Sequence, residues 1–155
     1  MTKYLPWALA IFIAFVFLQS LFFKFAGSEE TVIIFSTIGD WMAGISFLKP
    51  IAEPFEAHGG NVIGSVELAA SALVLIPRTR AWGALLGLGV ISGAIFFHLF
   101  TPLGVVRVVD AAGNTDGGTL FYMACGVWLS CAALIYLGRD KLLALTGSGA
   151  GNSQA

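Results

Sequence analysis

Charge is what this chain has least of. Lys, Arg, Asp and Glu together make up 11% of its 155 residues, less than half the roughly 25% of an ordinary soluble domain. A chain that is also 57% hydrophobic cannot cover a water-facing surface, which excludes the soluble globular class and points to a bilayer. The formal net charge of -1 comes without a clustered basic face, which excludes nucleic acid as a partner. Cysteine and histidine are equally scarce, with two of each. Cys125 and Cys131 lie in one apolar run at a spacing that turns them to different faces of a helix at about 100° per residue. They form neither a C-x-x-C redox pair nor a disulfide, and read as small apolar packing residues. Glu53, Glu56 and His58 lack a fourth ligand, so no metal site is expected. No G-x-S-x-G, H-E-x-x-H or phosphate loop occurs in a usable context.

What the chain does have is long apolar runs. Residues 5–23, 61–77, 81–99 and 119–137 are each long enough, at about 1.5 Å per residue, to enter or cross a hydrocarbon core. The first begins like a secretory signal behind Lys3, but its apolar run is too long and its Phe25-Ala26-Gly27 end is a poor cleavage site, so it reads as a retained helix. Residues 29–48 open on Ser28, Glu29 and Glu30, the pattern of a helix start. Ile34, Phe35, Ile38, Trp41, Met42, Ile45 and Leu48 then recur at helical spacing. This segment is too polar to span and is expected in the interface or packed over the bundle. The stretch Lys49 to Gly60, with Pro50, Pro54 and Gly59-Gly60, reads as a polar, proline-broken loop. Val105 to Val109 reads as a short strand-like or interface-hugging piece. The expected fold is all-α: a polytopic membrane four-helix bundle with an additional interfacial or packed amphipathic helix between the first and second spans. Residues 1–145 form one membrane domain, and 146–155, small and polar, are expected to be a disordered tail.

Four spans place both termini on one side. Lys3, Arg78, Arg80, Arg139 and Lys141 fall there, against Lys24, Lys49 and Arg107 on the other, so the termini are expected in the cytoplasm of an inner-membrane protein. Span three carries Gly83-x-x-x-Gly87 and Gly89-x-x-x-Gly93, read as close helix packing within the bundle.

Within this apolar frame Glu67 stands out. An ionised carboxylate in hydrocarbon costs at least ~2.5 kcal/mol, so it is expected to face the interior with a partner. It lies roughly 9 Å below Asn61 at the helical rise. Lys24 and His98 reach the same outer half, and Ser20 shares the face of Lys24. Lys24, Glu67 and His98, with Gln19, are therefore the candidate polar cluster. It would bind a small polar or quinone-like headgroup, or handle a proton or small solute. The bland alternative has Lys24 snorkelling outward, His98 in the headgroup region and Glu67 held by a neighbouring helix. No catalytic residue is assigned.

The end of span one, Leu21-Phe22-Phe23-Lys24-Phe25-Ala26-Gly27, followed by Gly64-x-x-Glu67-Leu68, the Pro77-Arg78-Thr79-Arg80 turn and Gly93-Ala94-x-x-x-His98-Leu99, resembles the DoxX-like membrane proteins over roughly residues 5–137. The resemblance implies a compact four-helix membrane protein, with Lys24 and Glu67 at the family's lysine and glutamate positions. It implies an accessory or non-catalytic role beside quinone-linked or thiol/sulfur redox systems. The lipid bilayer and membrane redox enzyme subunits are then the partners, with no intrinsic cofactor and quinone as the compatible redox molecule. Without a cysteine pair, direct thiol chemistry does not follow. Oligomeric state is not addressed by any of these residues.

Overall fold

The computed structural model describes residues 4–147 and is all-helical over them. Five helices follow in order: α1 Leu5–Phe25, α2 Glu29–Ala43, α3 Lys49–Leu75, α4 Arg80–Phe100 and α5 Thr119–Gly147. Three of them, α1, α4 and α5 over Thr119–Asp140, are long and apolar enough to cross a membrane. The third helix, with Lys49, Glu53, Glu56 and Glu67 along its length, is not among those three. The tail expected to be disordered falls, from residue 148 on, outside the described residues.

The chain folds antiparallel. Helix α3 packs on α1, α2 and α4, and α5 packs on α4 and α1. At one end the Arg80 guanidinium sits 4.3 Å over the Trp7 ring, and Gly138 lies against Ala81. At the other end Gly64 lies against Phe25, and the His98 and Phe121 rings meet at 5.7 Å. The core between them is built from Ala10, Ile13 and Phe17 of α1, Ala70 and Val74 of α3, Ala84 of α4 and Val127 and Cys131 of α5. Both cysteines are free thiols. Large apolar side chains also face outward, among them Ile11, Phe15 and Leu18 on α1, Leu85 and Leu99 on α4 and Leu129 and Leu137 on α5. An apolar exterior over an apolar core is the arrangement a lipid solvent favours, because water would penalise every such residue.

The expectation that residues 49–60 form a loop is corrected: they are the first three turns of α3. Pro50 falls in the first turn, where a missing N–H is no loss, and Pro54 removes one helical hydrogen bond. Packing outweighs that cost. The Phe55 ring meets Phe35 of α2 at 5.5 Å, and a Cβ at Gly59 would come within 2.7 Å of the same ring. The two glycines read as loop markers therefore serve a close helix approach. Helix α2 opens as its sequence says, with Ser28 Oγ accepting from Thr31 N at 3.3 Å. It buries Thr31, Phe35, Ile38 and Met42, and its amphipathic face lies on the N-terminal half of α3. Val105 to Val109 contributes a single antiparallel bridge, Val108 to Thr115, and no strand among the described residues.

Candidate functional site: a polar-ended cavity

Two residues one turn apart on α1, Ser20 and Lys24, reach across to Glu67 on α3. Lys24 Nζ donates to Glu67 Oε2 at 2.6 Å, to Glu67 Oε1 at 2.8 Å and to Ser20 Oγ at 3.0 Å. The ammonium thus has as many acceptors in reach as it has protons. Ser20 Oγ lies 2.9 Å from Glu67 Oε2 and from the Phe17 carbonyl, so its one proton serves one of the two. The Glu67 residue is only 5% exposed, and a carboxylate so buried destabilises the fold strongly unless it is paired. Lys24 also lies in the last turn of α1, where the helix dipole favours a cation.

The pair borders a cavity of about 740 Å³ between all five helices, within the ~300–1,000 Å³ range of small-molecule sites. Its walls are mainly apolar, with Val16, Phe35, Ile63, Ile91 and Met123 among them. The space exists partly because α4 offers Gly89, Gly93 and Ala94 there. Gly89 and Gly93, expected to pack helices closely, have nothing within 4 Å of where a Cβ would stand. That part of the packing expectation is corrected. Gly83 and Gly87 do sit in close contact: a Cβ on Gly83 would lie 2.5 Å from Val74 N, and one on Gly87 3.1 Å from the Phe17 ring.

His98 also lines the cavity but does not join the ion pair. Its Nδ1 is 2.6 Å from the Gly104 carbonyl. A carbonyl only accepts, so Nδ1 carries the proton, and in the neutral ring Nε2 is left as an acceptor. No hydrogen bond or ion pair connects His98 to Lys24 or Glu67 among the described residues. Gln19 lines the cavity as well and is exposed, without a side-chain hydrogen bond among the described residues. Glu53, Glu56 and His58 are all exposed on α3.

A second polar group was not singled out from the sequence. Arg107, in the α4–α5 loop, is 3% exposed. Its Nη2 donates to Glu30 at the start of α2, and its Nε lies 3.7 Å from Asp116 Oδ2. Asp116 holds the loop together. Its Oδ1 accepts from the backbone N–H groups of Arg107 and Gly118, and its Oδ2 from that of Leu120 at the start of α5. Burial alone would raise its pKa. These three N–H donors and the Arg107 charge outweigh burial and hold the carboxyl below the ordinary 3.8. The same loop is tied to α2 by Ala111 N donating to Glu29 Oε1 at 2.7 Å. The signal that would have found Arg107 is a single arginine inside Val105-Val106-Arg107-Val108-Val109, a charge in an otherwise apolar run.

Arg107, Glu30 and Asp116 line the cavity at the end where Lys24 and Glu67 lie. The site is an apolar chamber with its ionisable groups gathered at one end. Comparison of the chain with protein-family models, with curated proteins and with solved structures returned no match.

Proposed function

We propose that this is a multi-pass membrane protein of DoxX-like type that holds a lipid-soluble, quinone-like molecule in its cavity, as a non-catalytic component beside membrane redox enzymes. One observation carries the reading: an apolar chamber of about 740 Å³ has its polar groups at one end, the shape and chemistry that an apolar body with a polar head requires. The second half of α3 serves as the fourth crossing element, between α1 and α4, with its one charge matched by Lys24. Both termini face the cytoplasm of an inner membrane, and α2 with the first half of α3 covers the outer end. Proton handling by the same cluster has less support, since among the described residues no hydrogen bond links His98 to Lys24 or Glu67.

The test is extraction and mass spectrometry of lipophiles retained when the protein is purified in a mild detergent. A quinone-like molecule at near-stoichiometric yield, lost in Gly93→Leu, is expected. No lipophile above the bulk lipid level, or equal retention in Gly93→Leu, overturns the binding role. Copurification from native membranes without any redox enzyme overturns the accessory role. Reporter fusions at the C-terminus check orientation.

A further inference from the structure

We infer that the ligand's polar head is a neutral carbonyl-type acceptor, an uncharged ketone or quinone oxygen, received by Arg107 at the outer end of the cavity. This rests on the reading of the cavity as a binding site and names what it recognises. Arg107 is buried, and of its guanidinium only Nη2 has a hydrogen-bond acceptor; Nε and Nη1 are enclosed without one. Nε has Asp116 Oδ2 at 3.7 Å, close enough to gain from a small shift. Nη1 has no such neighbour among the ion pairs of the described residues. A buried donor left unpaired costs about as much as a lost hydrogen bond, so this end of the cavity favours an acceptor. Arg107 lines the cavity while anchored through Nη2, so an acceptor in the cavity is the group that can supply the partner Nη1 lacks.

Charge selects which acceptor. Two cations, Lys24 and Arg107, and three carboxylates, Glu30, Glu67 and Asp116, line this end. An anionic head would meet a net negative surface, and a cationic head offers no acceptor to Nη1. A neutral oxygen satisfies the donor without disturbing the balance. The apolar walls of Val16, Ile91 and Ala124 then take the body of the molecule.

A photoreactive alkyl-chain benzophenone tests this, because its carbonyl is both the acceptor and the cross-linking centre. In lipid nanodiscs, adducts are expected on Ile34 and Leu120 at the outer end, competed by a long-chain methyl ketone at least about tenfold better than by a fatty acid or n-alkane of equal length. Adducts confined to Val16, Ile91 or Ala124 would overturn the head-group placement and leave the cavity reading standing. Stronger competition by the fatty acid would overturn neutrality. Adducts only on outward-facing Phe15, Leu18 or Phe22 would remove the cavity reading as well. Arg107→Met should lower outer-end adducts about tenfold, and unchanged yield there overturns the role of Arg107. If that variant does not fold, the wild-type adduct map and competition series still decide.

Discussion

The two glycine pairs of α4 use the same motif in opposite ways. Gly83 and Gly87 let α3, α1 and α5 close in, so that an added methyl would collide with the α3 backbone at Gly83 and crowd the Phe17 ring at Gly87. The second pair, Gly89 and Gly93, faces open space. The cavity's ionisable residue on α4 itself, His98, stands beyond that open pair in the last turn of the helix. The same spacing of glycines thus makes a packed stripe and an open one: Gly89 follows Gly87 by two residues, about 200° around the helix, so the two pairs face different surroundings. A glycine permits close approach without requiring it.

The sharpest way to strain this contrast is at the polar end. Glu67→Leu leaves Lys24 without its counter-charge and should destabilise the protein by about 3–5 kcal/mol. The double change Lys24→Met with Glu67→Leu should recover most of that, as measured by unfolding in detergent. A double variant as unstable as the single would show that the pair holds more than itself. Next, Gly83→Leu should cost roughly 1–3 kcal/mol through overpacking, whereas Gly93→Leu should stay within about 1 kcal/mol of the wild type. Equal effects would dissolve the distinction between the two glycine pairs.

Arg107→Met should cost about 1–2 kcal/mol. That is less than Glu67→Leu, because Glu30 is a quarter exposed and Asp116 keeps its three backbone donors. The smallest effect is a pH dependence. The Asp116 carboxyl is held below its ordinary value, so the unfolded chain binds its proton more tightly than the folded one. Its contribution to stability is full above the ordinary value of 3.8 and is lost as pH falls through the lower folded value. Thermal midpoints measured from neutral pH into that acidic range should fall less steeply in Asp116→Asn. An unchanged acid slope would show that other carboxyls set it.

Much of the helical layout was legible because local signals govern it. The apolar runs of α1, α4 and α5 and the Ser28 cap lie within single segments, and the structure follows them to within a few residues at most starts. The Lys24 to Glu67 pairing was expected from the burial cost of one carboxylate and the depth of one lysine. The start of α3 was not legible, because Pro50, Pro54, Gly59 and Gly60 carry the local marks of a loop. Only the Phe35 and Phe55 rings of the assembled fold outweigh them. His98 was expected beside Glu67 on depth alone, and depth says nothing of azimuth; the Gly104 carbonyl takes its ring instead.

By itself, then, the sequence determined that this is an apolar helical protein with one carboxylate that must be matched, since hydropathy and charge act residue by residue. Tertiary structure decided where space was left. A cavity is a property of several helices at once: Gly89 and Gly93 are identical in sequence character to Gly83 and Gly87. Only the positions of α1, α2, α3 and α5 made one pair a contact and the other a wall of the chamber beside Arg107.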